Sequence, residues 1–589
     1  MSSRLQRFNT YVKSHKLSVS LFLILMAIVS VITVYKLLIQ VNVGVAYWDT
    51  FQYLNFARRF AVNSFVNDMS LSPFIPYLTS FFFRLGYVSA NALFILDSII
   101  YILGVLGFYC LLKFRFSSIE SFAGSIIYAT FTLILSWIAV GGIDLSSVSF
   151  SILAILFTVM AVKKDSKYYY LAFPLAAIAF FTKYTAGLIG LIILFYIFIN
   201  KEYVKNLKEI VIGIIIGFLI SLRFLIYFYV NLGNPVPFFG QFRGTVSNAA
   251  TTIDSGFNPD YIYYLKNIPN YISSISHQNN FTGFLNPSGS DPSIVAYILL
   301  GIMVLGISIY LYNILKKMSN LNLKKEYGPL QGKMGWLKLG LFIILLTVLI
   351  ITLGDVSYVL SVAIIFVLFY LIYGFLNHLD IKNSDIDVMF FLWLTVYVVF
   401  HSILATKNDR YFVTVMPGLA FLVVLGINNI SSKLKFKYKN LNISSWVLSL
   451  ALVFMVLSST IVFLDRIPQE NYAQDMEAMS IWLKDNDPLL YKKIVYSNHW
   501  PGFEWYMKKR IYRAIPQTKK SMFKEFGDLN EFSKFLQEKK AYYYIYRGGG
   551  LNIPDYNIIK TIGIFTLYKI DDPESLIETQ PGEKPSIIL

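Results

Sequence analysis

Of the chain's 589 residues, 56% are hydrophobic and only 14% charged, and the mean hydropathy is +0.57. That excludes a soluble globular protein of this size and points to a polytopic α-helical membrane protein. The net charge of +17 does not point to nucleic acid, because residues 465–589 hold 18 basic and 17 acidic residues and nearly all the excess lies in residues 1–464.

Apolar runs of roughly the 17–25 residues that cross a bilayer lie near 17–38, 90–112, 119–139, 145–162, 168–182, 185–200, 209–230, 293–315, 337–354, 356–376, 388–404, 411–430 and 443–464, thirteen in all. The first is too long, and lacks a small-residue cleavage site, to read as a removed signal peptide. The fifth and sixth are short and read equally as a tilted or re-entrant pair. Cys110, the one cysteine, falls inside the second run, which rules out disulfides and CxxC sites. No Walker A loop, GxGxxG turn or HExxH pair is present.

With the N-terminus inside, 23 Lys and Arg residues fall on the cytoplasmic side of residues 1–464, from Arg4 to Lys439, against 8 on the other face. The bias sets the orientation. Three long regions then face outward, at about 40–88, about 231–292 and from Asp465 onward, and chemistry is expected there. Residues 1–464 read as the membrane domain and 465–589 as a small extracytoplasmic α/β domain. In the latter, Ala473 to Lys484 reads as an amphipathic helix, Lys493 to Ser497 as a buried strand, and Ala541 to Tyr546 with Arg547-Gly548-Gly549-Gly550 as a strand and turn. The last stretch, from Asp571, is expected to be poorly ordered.

Asp49, in Tyr47-Trp48-Asp49-Thr50-Phe51-Gln52-Tyr53, follows the first span. An acid so close to the bilayer is costly unless used; the alternatives are a solvated loop acid or a helix N-cap. Trp48 to Ala61, with Arg58 and Arg59 on its polar face, reads as an interfacial amphipathic helix, and a second aromatic stretch runs from Tyr77 to Tyr87. Asp144 falls at the outer turn after the third span. Lys183, in Thr182-Lys183-Tyr184, falls between the fifth and sixth, where snorkelling is the alternative. Lys407-Asn408-Asp409-Arg410-Tyr411 opens the twelfth, and there Arg410 is expected either to serve the site or to pair with Asp409.

The order and sidedness of these motifs resemble the GT-C glycosyltransferases, in particular the branch containing protein O-mannosyltransferases and the lipid A aminoarabinose transferases. The resemblance covers the membrane half and, more loosely, the tail. It implies transfer of a sugar from a polyprenyl-phosphate carrier to a protein, lipid or glycan acceptor on the extracytoplasmic side. Asp49 would match the general base, Tyr53 a pocket tyrosine, Asp144 the second acid and Lys183 the lysine near the donor phosphate. Two departures stand out: many relatives have Asp-Glu where this chain has Asp49-Thr50, and the aminoarabinose branch has arginine in place of Gln52.

The chemistry asks for such groups in its own right. A carboxylate can take the acceptor proton. Lys183, Arg410 and Arg58 can meet the negative charge of a departing lipid phosphate, with Tyr411 and Lys407 lining the pocket. A metal is not obligatory, and His277 in the long loop after the seventh span is the one candidate ligand, without an acid at convincing spacing. The rival reading is a transporter or polyprenyl-lipid flippase without covalent chemistry, whose site would lie near the bilayer midplane; within the spans the ionisable residues are few, chiefly Asp97 and Arg223. A membrane-anchored scaffold would explain the tail but not Asp49, Asp144 and Lys183.

Overall fold

A computed structural model describes residues 15–62, 71–203, 206–237, 258, 260–323, 333–352, 358–404, 406–434, 436–438, 441–469, 471–516 and 528–571. The predicted end segment beyond Asp571, most of the loop at 238–257 and the basic residues before His15 lie outside these. Each predicted span coincides with helix: α1 Lys16–Val43, α4 Ala90–Leu112, α5 Ser118–Thr130 with α6 Thr132–Trp137, α7 Ile143–Lys163, α8 Tyr169–Thr182, α9 Leu188–Ile199, α10 Leu207–Leu232, α11 Ile294–Leu323, α12 Lys333–Thr352, α13 Tyr358–His378, α14 Ser384–Ile403, α15 Met416–Leu434 and α16 Ile443–Asp465. Between α1 and α4 lie α2, Trp48–Ala61, and α3, Phe74–Arg84.

Among the described residues, nine helices are long and apolar enough to cross a membrane, counting Asp409–Leu434 as one; Tyr184–Ile199 and Trp336–Thr352 are apolar but shorter. The predicted third span is not continuous. Phe131 takes an extended ψ of 134°, which breaks the helix between Thr130 and Thr132.

Small residues let the helices approach. A methyl on Gly306 of α11 would stand 2.2 Å from the backbone of Gly426 on α15, and one on Gly104 of α4 would meet the Ser149 side chain of α7 at 2.3 Å. One end of the bundle is stapled by buried charge pairs. Arg115 grips Asp387 with two nitrogens, at 2.6 and 3.2 Å, while Tyr310 donates to the same carboxylate. Lys163 and Tyr196 both reach Asp385. The opposite end carries α2, α3 and the tail.

Beyond Asp465 the chain forms α17, Tyr472–Asn486; β1, Ile494–Ser497; α18, Trp500–Met507; β2, Tyr512–Arg513; α19, Leu529–Glu538; β3, Ala541–Arg547; β4, Tyr556–Ile562; and β5, Phe565–Ile570. The sheet order is β2-β1-β3-β5-β4, with the first three strands parallel, β5 antiparallel to β3, and β4 antiparallel to β5. Its core is continuous with that under α2 and α3: Phe51, Leu54 and Phe83 belong to one buried cluster with Met476, Phe503 and Trp505.

Candidate active site

Four of the predicted residues converge at the end of the bundle that carries the sheet. Asp49 lies in the first turn of α2 and Asp144 in the first turn of α7, where the helix N-terminus favours a carboxylate; Lys183 is the C-cap of α8, where a cation is favoured. Arg410 sits in the tight helical stretch Asp409–Val415 that leads into α15. One guanidinium nitrogen of Arg410 is 2.7 Å from Asp49 and the other 3.5 Å from Asp144, while the Lys183 ammonium donates to the second oxygen of Asp144. The side chain of Asp144 is fully buried, and that of Asp49 keeps 18% of its surface exposed. Asp49 is therefore the more open of the two carboxylates, and Asp144 contacts both cations.

Aromatic rings box the cluster in. The Arg410 guanidinium lies 4.7 Å from the Tyr47 ring and 5.3 Å from that of Tyr411, and the Lys183 ammonium is 4.5 Å from Tyr411. Tyr411 in turn stacks on His401. Tyr53, one turn after Asp49, is buried; desolvation and then the Asp49 carboxylate hold its phenol well above its ordinary value, which keeps it a neutral donor. The hydroxyl of Thr50 donates to the carbonyls of Val140 and Gly141, tying the Asp49 helix to the loop that presents Asp144. Gly141 has φ +74°, and a methyl there would meet Thr50 at 2.9 Å, so this turn requires glycine.

Other expectations are corrected. Arg410 does not pair with Asp409, whose buried carboxylate accepts from Tyr263, Tyr271 and the backbone of Ser288 and so docks the loop before α11 against the Arg410 segment. Arg58 is not with the cluster: its guanidinium donates to the carbonyl of Trp505 at 2.7 Å and lies 3.7 Å over that indole, clasping α2 to α18. Lys407 donates to the carbonyls of His401, Ser402 and Leu404, closing the C-terminal end of α14 rather than lining the pocket. Asp49 is not an N-cap; Tyr47 holds that position. His277 lies 3.3 Å from Asp291, both well exposed, and among the described residues no three His, Cys, Asp or Glu side chains gather as metal ligands would.

Further residues take up places around the cluster that the sequence did not assign them. Asp97, buried in α4, accepts from the Ser146 hydroxyl at 2.5 Å and so braces the start of α7. Trp137 packs edge-on against Tyr47, and Trp48 turns the other way, toward the sheet. The aromatic pair beside Asp49 was visible in the sequence; its two opposed directions were not.

The structure is that of a multi-pass helical membrane protein with paired acids at one end of the bundle and an α/β domain at that same end. Residues 70–227 match the family model described as Dolichyl-phosphate-mannose-protein mannosyltransferase. The fold is similar to that of ArnT from Cupriavidus metallidurans, in its structure bound to undecaprenyl phosphate and in its apo state. Each comparison has a TM-score of 0.53 and 12% identity over 95% of this chain and 99% of that one. No curated protein matches the sequence significantly. The chain is therefore similar to the mannosyltransferase family over residues 70–227, and it shares the ArnT fold over nearly its whole length.

Proposed function

We propose that the enzyme takes a sugar from a polyprenyl-phosphate donor and passes it to an acceptor hydroxyl on the extracytoplasmic side, by a single inverting displacement with Asp49 as general base. The observation that carries this reading is the chain of contacts Asp49–Arg410–Asp144–Lys183, in which Asp49 is the more open of the two carboxylates. The matched family is described by a dolichyl-phosphate donor, and ArnT binds undecaprenyl phosphate; both are polyprenyl phosphates.

The acceptor oxygen attacks the sugar carbon while its proton passes to Asp49. The bond from that carbon to the phosphate oxygen breaks, and its electron pair leaves on the lipid phosphate. With both acids ionised and both cations charged, the cluster is neutral. Protonation of Asp49 releases Arg410 from its 2.7 Å partner and leaves one net positive charge when the phosphate gains a negative one. Proton transfer and leaving-group stabilisation are thereby coupled. A transport site would be expected in the middle of the spans, whereas these four residues come from helix ends.

Purified protein incubated with a panel of radiolabelled polyprenyl-phosphate sugars should release the lipid phosphate from at least one of them in the presence of membrane lipid or glycan extract. Release from none would sink the reading.

A further inference from the structure

Arg223 is one of the few charges within the spans, and the transfer chemistry leaves it unused. It lies on α10, nine residues before the last residue of that helix, Leu232. Methyl groups on Gly213 and Gly217 would meet the carbonyls of Tyr169 and Phe173, so α10 runs parallel to α8 and both point to the end that carries the acids. At 1.5 Å per residue the backbone of Arg223 stands roughly 13 Å below the end of α10. Its helix face is otherwise apolar and open: Ile215, Leu219, Ile226 and Val230 are exposed at helical spacing, and Arg223 is exposed among them. A charge on the lipid side of a span is costly and marks a use.

The surroundings say what that use is. Among the described residues the Arg223 guanidinium has one partner, the half-buried ring of Tyr77 on α3 at 4.4 Å, and no carboxylate pairs with it. The Tyr77 ring meets Phe224 edge-on at 5.8 Å, and Phe224 stacks on Phe181 of α8 at 5.0 Å. Phe181 stands two residues before Lys183, the C-cap of α8. Arg223 and Lys183 are thus linked by a run of three rings, one each from α3, α10 and α8.

The geometry points to Arg223 as the lipid-side docking point for the phosphate of the polyprenyl carrier, where the head group is held before it reaches Lys183 and Arg410. The inference rests on the transfer reading above and adds the side from which the donor arrives. A polyprenyl chain stays in the hydrocarbon while its phosphate stays near the surface, so the carrier comes to the bundle laterally. A guanidinium offers paired N–H groups that match a phosphate, and its long side chain reaches toward the surface from a deeper backbone. Continuity with the catalytic cluster through the three rings favours the carrier over a bulk phospholipid as the occupant.

Full-length protein with Ile226→p-benzoylphenylalanine, one turn from Arg223, would be placed in zwitterionic nanodiscs and irradiated with tritiated undecaprenyl phosphate. The chain should be labelled, and Arg223→Gln in that background should lower the labelling about tenfold, the scale of one charge-assisted contact. Arg223→Lys, which keeps the charge, should retain part of it; thermal unfolding would verify that both variants are folded. An equimolar amount of phosphatidylglycerol should leave the labelling in place. In the transfer assay, Arg223→Gln should raise KM for a bilayer-borne donor, the loss falling on KM rather than kcat; an arginine that only snorkels would move neither. Labelling equal in wild type and Arg223→Gln, or abolished by phosphatidylglycerol, overturns the docking point. Photolabelling needs no turnover, so its result is separate from that of the transfer reading, which falls if the wild-type protein releases lipid phosphate from no donor.

Discussion

Arg410 reaches Asp49 at 2.7 Å, across a gap between elements more than 350 residues apart in the chain. The pairing orients the Asp49 carboxylate. Asp49→Asn preserves the shape and removes the basicity, so turnover should fall by about 10²–10⁴-fold, the usual scale for loss of a general base. Donor binding, measured with radiolabelled carrier, should survive. Near-normal turnover would remove Asp49 from the mechanism.

Neutralising the cations should act on the donor instead. Lys183→Met and Arg410→Gln are each expected to weaken donor affinity, with Lys183→Arg partly tolerated because the charge remains. Asp144→Asn should lose less turnover than Asp49→Asn but more stability, since discharging one member of a buried pair costs about 3–5 kcal/mol. Thermal unfolding alongside carrier-binding isotherms separates the two effects, and a donor affinity unchanged in both cation variants would contradict the assignment.

Arg58 offers a contrast with Arg410. If it only clasps α2 to the tail through Trp505, Arg58→Ala should lower stability by about 2 kcal/mol, from a lost hydrogen bond and a desolvated cation–π contact. Carrier affinity should stay at the wild-type value. A clear loss of carrier binding at full stability would restore Arg58 to the phosphate site.

Orientation is open to labelling. In a Cys110→Ser background, cysteine at the exposed Asn552 should react with an impermeant maleimide in intact cells, and cysteine at the exposed Lys382 should not. The reverse pattern would invert the membrane half.

Burial, followed by the nearby Arg547 charge, holds the imidazole of His499 well below its ordinary value. The unfolded chain takes up a proton near pH 6.5 and the folded one does not, so this group's contribution favours folding above that pH and is lost below it. Stability should fall by about 1.4 kcal/mol per pH unit under pH 6.5 from this residue alone. His499→Phe should flatten that limb of an unfolding-temperature profile. An identical acid limb in the variant would refute the account.

Much of the site was legible because sidedness is a one-dimensional property. Asp49, Asp144, Lys183 and Arg410 each follow an apolar run, and counting runs puts all four on one face. Partners are another matter. Arg58 and Trp505 are 447 residues apart, and nothing local in the sequence says that an arginine on an interfacial helix will meet a carbonyl in the tail rather than a phosphate. Asp409 reads as the natural mate of Arg410 because they are neighbours, yet a tight helical stretch turns adjacent side chains apart and delivers Asp409 to Tyr263 and Tyr271. The break at Phe131 is a backbone event inside a run of uniform hydropathy, and hydropathy does not register it.

The core shared by α2 and the sheet bears on how the protein is made. Asn55 and Arg58 find their partners Pro501 and Trp505 some 446 and 447 residues later, and the carbonyls of Val43 and Val45 wait for Asn471. The segment carrying Asp49 is among the first to leave the ribosome, but its packing surface is among the last. Until the final fifth of the chain has been synthesised and delivered to the same face, that helix has apolar residues with nothing to cover them. A nascent or truncated chain would therefore be both inactive and a client for whatever quality control patrols that face of the membrane.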